Sequence, residues 1–250
     1  MQLKRIAAAT TALGLAAMLS ACGGGGGDEL TAQSAAGLWH GTADTQREVS
    51  AVTLSDGRYF AVYSGAGAGA TIGGGVQGTA TVSGDTLNSS DLLSFSVEGA
   101  GPTNGTFTAQ VVPRFLLAGT ATVPNQAPVS FHANYESDFE QTPTLARVAG
   151  SYTGEAGFAL GIRPATFNID ANGGVTSSIN GCAITGNVTP RTDGDVFDLS
   201  VVFSGPPCAL PNLTFTGVVF LRNGGKQLYS VSRNTPARQT IVFTGLKQAS

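Results

Sequence analysis

Short stretches of alternating apolar and polar residues follow one another roughly every ten positions from residue 37 onwards. A period of two is typical of β-strands that bury one face. Turn-forming residues separate the stretches, so each stretch predicts one strand of an antiparallel sheet. The strands predicted in the first half of the chain are 37–43, 47–54, 58–64, 75–83, 91–98, 105–112, 115–123 and 127–135.

The pattern stops at residues 136–146 and then starts again. Residues 148–154 repeat the spacing of small, glycine and aromatic residues found at 35–41, with Tyr152 in the position of Trp39. The second half again offers eight strands, ending at 239–244, and eight strands are enough to close a small barrel. We therefore predict an all-β chain in which an internal duplication gives two tandem eight-stranded antiparallel β-barrels. A single two-sheet sandwich is the alternative.

Composition agrees with a strand-rich chain. Glycine accounts for 35 of the 250 residues, and charged residues make up 12%, against about 25% in an ordinary domain. Such a composition favours strands and turns over helices. The formal net charge is −3 and no basic stripe is present, so we expect no nucleic-acid partner.

The first 22 residues follow a different pattern, that of a secretory signal peptide. Lys4 and Arg5 precede an apolar run at 6–19, and small residues follow at Ser20 and Ala21 before Cys22. The run is about 14 residues long, whereas a membrane-spanning helix needs about 20. An ordinary secretory signal is the other alternative, but it leaves an odd cysteine unexplained.

The sequence Leu19-Ser20-Ala21-Cys22 resembles the lipobox of bacterial lipoproteins. The resemblance implies that Cys22 is acylated after cleavage and attaches the chain to a membrane. Gly23, in place of the aspartate that retains such proteins in the inner membrane, implies the outer membrane and leaves open whether the chain faces the surface or the periplasm. The predicted organisation is a signal peptide at 1–21, a lipidated cysteine and glycine-rich tether at 22–36, a first barrel at 37–136, a linker at 137–147 and a second barrel at 148–250.

The other two cysteines, Cys182 and Cys208, are predicted to form a disulfide. An exported protein lies in an oxidising compartment, where such bonds persist. Cys182 opens the predicted fourth strand of the second lobe, and Cys208 follows the fifth. These two ends lie side by side in an antiparallel pair, so the bond is geometrically reasonable.

Gly37-Leu38-Trp39 resembles the G-x-W sequence of lipocalin-like and avidin-like barrels. In those families the tryptophan closes one end of the barrel, which implies the same role for Trp39. Tyr152 takes the corresponding position in the second lobe and is expected to close that barrel.

No pattern in the sequence predicts catalysis, a metal site or a cofactor. The two histidines, His40 and His132, lack a recognisable nucleophile or further ligands, and no G-x-S-x-G occurs. The glycine-rich segment 65–70 lacks the helix that dinucleotide binding requires. Asp193, Asp195 and Asp198 lack calcium-loop spacing and predict a hairpin turn. Five arginines of the second lobe are scattered and are expected at the surface: Arg163, Arg191, Arg222, Arg233 and Arg238.

Together these features predict a membrane-anchored, non-enzymatic binding or adhesion module of the cell envelope. The layout resembles the two-lobed surface lipoproteins of the transferrin-binding protein B type, whose lobes contain eight-stranded barrels. That resemblance implies an unidentified protein partner, but not transferrin, because this chain is shorter and lacks the handle domains of the family. The alternative is a carrier that holds a small apolar ligand inside one barrel. An envelope enzyme is the third possibility and the least supported.

Overall fold

The computed structural model describes residues 31, 32, 34–66, 72–99 and 101–249. These residues form two antiparallel β-barrels in tandem, joined by a short connection. The fold class predicted from the alternating pattern is therefore confirmed. The predicted signal peptide, the proposed lipidation site Cys22 and the glycines at 23–27 lie outside the described residues.

Nine strands build the first lobe, and eight of them form the barrel wall. Strand β4 pairs with both β3 and β6, which closes the sheet, while the short β5 is attached to the edge of β6. The strands are β1 (Gly37–Ala43), β2 (Glu48–Thr53), β3 (Arg58–Ser64), β4 (Ile72–Thr79), β5 (Thr81–Ser83), β6 (Thr86–Ser96), β7 (Thr103–Val112), β8 (Leu116–Thr122) and β9 (Val129–Tyr135).

The predicted strand 75–83 is divided in the structure. Its first part belongs to β4, and its last three residues form β5. The division falls at Ala80, which is buried and whose backbone N–H donates to the carbonyl of Gly57 (2.8 Å) instead of continuing the ladder. The predicted turn around Gly84 therefore connects β5 to β6, and β6 begins at Thr86 rather than at residue 91.

The second lobe is a regular eight-stranded barrel in which each strand pairs with the next and the last pairs with the first. Its final strand ends at Lys247, three residues later than predicted. The strands are β10 (Gly150–Phe158), β11 (Gly161–Ile169), β12 (Gly174–Ile179), β13 (Cys182–Pro190), β14 (Val196–Phe203), β15 (Thr214–Arg222), β16 (Gln227–Asn234) and β17 (Gln239–Lys247).

The connection between the barrels contains a 3-10 turn at Ser137–Glu140 and the one-turn helix α1 (Leu145–Val148). Thr144 caps the helix by accepting a hydrogen bond from the backbone N–H of Arg147. Among the described residues, no helix has the length and apolar character needed to cross a membrane.

The two barrels share an apolar contact, here called the interlobe cluster. It joins the outer faces of β1–β4 and β6 to the outer faces of β14–β17, and its residues are almost fully removed from solvent. Strands in this contact are buried on both faces, so their sequences read as continuous apolar runs instead of alternating ones. The cluster contains Leu38, Val52, Leu54, Phe60, Val62, Ile72, Phe95, Phe139, Val196, Val218, Phe220, Tyr229, Val231 and Val242.

Candidate functional site

The first barrel is hollow and the second is filled. A cavity of about 450 Å³ occupies the first barrel, whereas the cavity found within the second measures about 30 Å³. The larger volume lies within the range of about 300–1,000 Å³ that is typical of small-molecule sites. The cavity of the first barrel is therefore the candidate binding site.

Side-chain volume explains why only one barrel is hollow. In the first barrel, small residues take inward positions on neighbouring strands, as at Ala51 and Ala61, which lie opposite each other, and at Ala121. In the second barrel the interior holds large aromatic rings, with Phe167 and Phe243 packed 5.3 Å apart between ring centroids. The same strand number therefore encloses either an empty volume or a packed core, depending on the inward side chains.

Trp39 lies at one end of the first barrel and is fully buried. Its Nε1 donates to Thr53 Oγ1 (2.9 Å), which in turn donates to the carbonyl of Ala35 (2.6 Å). The ring of Tyr135 packs edge-on against the indole, with centroids 5.5 Å apart. A large aromatic side chain with its single donor satisfied fits well in such a position. These contacts hold the indole at the end of the barrel at which β1 begins.

The mouth of the cavity lies at the opposite end. It is lined by residues of the connections that follow β1, β6 and β8, among them Thr45, Gly99, Gly101 and Gln126. Among the residues that the structure describes, the cavity thus extends from Thr53, near Trp39, to the loops at the opposite end of the barrel.

One ion pair stands at this mouth. Arg47 pairs with Glu98 through its Nη2, donates from Nη1 to the carbonyl of Ser64 (2.8 Å), and lies over the ring of Tyr63 at 5.6 Å from its centroid. Glu98 also accepts a hydrogen bond from the backbone N–H of Ala66 (3.1 Å). The hydrogen bond from Arg47 holds the pKa of the Glu98 carboxyl below its usual value, so the pair is ionised at neutral pH.

Neutral groups make up the remainder of the polar lining. Tyr59 OH lies 2.9 Å from Ser89 Oγ, and Tyr63 OH donates to the carbonyl of Phe95 (3.0 Å). Burial raises the pKa of both phenols, so they stay protonated. Phe107 and other apolar side chains cover most of the wall. The geometry suits an apolar ligand with few polar atoms.

The residues predicted to matter in the second barrel, Tyr152, Cys182 and Cys208, do not surround a cavity. Tyr152 is fully buried and its OH donates to the carbonyl of Val148 (2.9 Å), while Lys247 Nζ lies 5.6 Å from the ring centroid. Cys182 and Cys208 are joined by a disulfide next to the β13–β14 pair. Both features belong to a packed scaffold.

The two histidines lie on the outer face of the first barrel, away from the cavity. His40 Nδ1 is 3.2 Å from Ser50 Oγ, and His132 Nε2 is 3.5 Å from Thr42 Oγ1. Burial lowers the pKa of His40, and the positive charge of Arg222 lowers it further. In the part of the chain that the structure describes, no group of three or more potential ligands is arranged to hold a metal ion.

The predicted hairpin joins β13 to β14: Asp193 and Asp195 lie between the two strands, Asp198 lies in β14, and all three are paired with arginines. Arg191 pairs with Asp193 (2.9 Å) and Asp198 (2.9 Å), and Asp193 Oδ2 accepts from the backbone N–H of Ser55 in the first lobe (3.0 Å). The expectation of scattered surface arginines is wrong for Arg222, which is buried at the contact between the barrels.

A ligand cavity inside one barrel is predicted from the sequence only as an alternative, and the interlobe cluster is not predicted, although both left a signal. The alanines at 51, 61 and 121 occupy inward positions of predicted strands, where large apolar residues would fill a barrel. Strand β3 reads Tyr59-Phe60-Ala61-Val62-Tyr63, a continuous apolar run that indicates burial on both faces. The Arg47–Glu98 pair joins residues 51 positions apart and has no local signature.

The fold and its cavity define a tandem β-barrel protein with one hollow and one filled lobe. The sequence matches no protein-family profile and no curated protein. The structure is similar to transferrin binding protein B of Neisseria meningitidis serogroup B, with 9% identity and a TM-score of 0.33, over 81% of this chain and 66% of that one.

Two further structures give similar values. A transferrin binding protein B from Haemophilus parasuis shares 9% identity with a TM-score of 0.33, over 82% of this chain and 61% of that one. A candidate outer membrane protein from Bacteroides fragilis shares 13% identity with a TM-score of 0.31, over 86% of this chain and 99% of that one. This chain thus spans 66% and 61% of the lengths of the two transferrin binding protein B chains.

Proposed function

We propose that this chain is a lipid-anchored binding protein of the bacterial cell envelope whose first barrel takes up one small apolar ligand. The observation that carries the proposal is the contrast between a cavity of about 450 Å³ in one barrel and about 30 Å³ in the other. Both barrels have eight wall strands, so the cavity reflects the choice of inward side chains and not the architecture. The lipobox-like sequence ending at Cys22 supports the anchor and the outer-membrane location.

The second barrel supports this function as a rigid partner. Its interior is packed, its loop is closed by the Cys182–Cys208 disulfide, and it buries the outer face of the first barrel through the interlobe cluster. This contact stabilises the strands around the cavity from outside, where the small inward residues give little packing. The proposal therefore assigns binding to the first lobe and support to the second.

The test blocks the cavity from within. Ala121→Phe adds a ring to the inner face of β8, whereas Ala118→Phe adds the same ring to the outer face of the same strand. We expect the neutral dye Nile red to bind the unmodified protein and Ala118→Phe, with at least tenfold weaker binding to Ala121→Phe. Equal dye binding by both variants, or none by the unmodified protein, would contradict the proposal. Native mass spectrometry of protein purified from membranes would reveal a co-purified ligand.

A second candidate, adhesion to a protein partner, has one observation in its favour. The β7–β8 hairpin exposes Val112 (50%) and Phe115 (67%) on either side of Arg114. Aromatic and arginine side chains are enriched at protein interfaces. If this hairpin binds a partner, Phe115→Ser will reduce capture of that partner from envelope extract, whereas Val202→Ser on β14 will not. Equal capture by both variants would exclude the hairpin.

A further inference from the structure

The charge at the mouth of the first barrel restricts what the cavity can hold. Among the described residues that line the cavity, Arg47 and Glu98 are the two charged ones. They pair with each other, so the positive and the negative charge cancel at the opening. The floor at Thr53 and the apolar wall carry no charge. A charged group of a ligand would avoid the apolar wall and lie at the mouth, beside Arg47 or Glu98.

Both members of the pair already have their partners. The guanidinium of Arg47 donates to Glu98 and to the carbonyl of Ser64, and it packs over the ring of Tyr63. The carboxylate of Glu98 accepts from Arg47 and from the backbone N–H of Ala66. An anionic head group would have to displace Glu98 or lie next to it, and a cationic one would lie next to Arg47. Because the two charges of the pair cancel, the mouth offers a charged head group no net attraction that would offset the hydration it loses there.

Neutral hydrogen-bonding groups surround the pair. Side chains with hydroxyl or amide groups line the cavity near its mouth and can donate to or accept from an uncharged head group: Thr45, Ser94, Ser96, Thr103 and Gln126. The volume of about 450 Å³ lies in the lower part of the range of about 300–1,000 Å³ that is typical of small-molecule sites, which favours one alkyl chain over two.

We propose that the ligand is a single-chain amphiphile with an uncharged head group, such as a long-chain alcohol, ester or amide. Its chain lies inside the first barrel and its head lies at the mouth, beside Arg47 and Glu98. This inference rests on the proposed function of the cavity, and it adds the chemical class of the ligand and its orientation.

The experiment compares two probes of equal chain length, one with a neutral and one with a negatively charged head group. Dodecanol and dodecanoate compete with Nile red at pH 8, where the acid is ionised, in the unmodified protein and in Glu98→Gln. Glutamine keeps an oxygen that can accept from Arg47 but removes the negative charge. We expect the unmodified protein to bind dodecanol at least tenfold more tightly than dodecanoate, and Glu98→Gln to narrow that ratio about tenfold by freeing the charge of Arg47.

Two further variants complete the test. Arg47→Gln leaves Glu98 unneutralised and should widen the ratio. Glu48→Gln, a matched control, makes the same charge change at an exposed residue of β2 that faces away from the cavity, and should leave the ratio unchanged.

The possible outcomes separate the two proposals. If neither probe nor dye binds, the proposed function of the cavity fails. If dye and probes bind but dodecanoate binds as tightly as dodecanol, the cavity function stands and the neutral-head inference is overturned. A ratio that does not change in Glu98→Gln overturns the orientation, because the head group would then lie away from the mouth.

Discussion

Arg222 of the second barrel donates a hydrogen bond to Ser50 Oγ of the first barrel, across 3.2 Å. The same guanidinium donates to Glu136 Oε1 (3.0 Å) and to Tyr229 OH (3.3 Å), and only 7% of the residue is exposed. Ser50 is itself within 3.2 Å of His40 Nδ1. A buried, charged group thus links both barrels and their connection at the edge of the interlobe cluster.

Replacing Arg222 should destabilise the protein. Arg222→Met keeps much of the side-chain volume but removes the guanidinium that donates to Glu136, Ser50 and Tyr229. Removing one partner of a buried ion pair commonly costs about 3–5 kcal/mol, and the partial exposure of Glu136 puts our expectation near 3 kcal/mol. Urea unfolding followed by tryptophan fluorescence measures the loss. Arg114→Met, at a residue on the surface, should change stability by less than about 1 kcal/mol; equal losses would contradict the linking role of Arg222.

The close approach of the barrels depends on Gly75. A Cβ atom at this position would lie 2.6 Å from Val242 Cγ1 of the second barrel. We expect Gly75→Ala to lower the free energy of unfolding by about 1–3 kcal/mol through overpacking. At Gly101 a Cβ atom meets nothing within 4 Å, so Gly101→Ala should be neutral or slightly stabilising. Thermal unfolding of the two variants measures both effects. If Gly75→Ala is as stable as the unmodified protein, the contact between the barrels can adjust to the added methyl group.

The disulfide should stabilise the second barrel. It closes a loop with a sequence separation of 26 residues, for which the chain-entropy estimate is about 3.5 kcal/mol. The double variant Cys182→Ala/Cys208→Ala should lose about this amount, and reduction of the unmodified protein should have the same effect. The double variant should still bind Nile red in its first barrel, as long as its second barrel remains folded. A reductant that further destabilises the double variant would point to an effect unrelated to this bond.

Asp195 should make stability depend on pH. Burial raises the pKa of its carboxyl to about 6, even though Arg147 donates to it. Between about pH 4 and pH 6 the folded chain therefore holds a proton that the unfolded chain has lost, and stability falls as pH rises. Asp195→Asn lacks this dependence. The free energy of unfolding of the variant, minus that of the unmodified protein, should therefore be about 2 kcal/mol larger at pH 7 than at pH 4. Urea titrations at several pH values measure it.

The sequence predicts the architecture well because strand alternation survives in most of the chain. The eight wall strands of each lobe follow from local patterns. The division of the strand at Ala80 does not, because it depends on a backbone hydrogen bond to Gly57, 23 residues away. Alternation continues across Ala80, so nothing local indicates the break.

The candidate site is harder to predict because the size of a cavity depends on the summed volume of the inward-facing side chains of all the strands. Each alanine in the first barrel is compatible with either a hollow or a collapsed interior, and only the closed geometry shows that no neighbour fills the space. Arg222 was expected at the surface because a lone arginine gives no local sign of burial. Its partners Ser50 and Glu136 lie in the first lobe and the connection, far away in sequence.

The chain enters the first barrel at its floor. Ala35 packs with Trp39 in the same cluster, and the opening lined by Arg47 and Glu98 lies at the other end. If Cys22 carries a lipid, the anchor is joined to the barrel at the end that holds Trp39, and the opening lies a full barrel length away from that point of attachment. A ligand would then enter through the end of the barrel that does not carry the anchor.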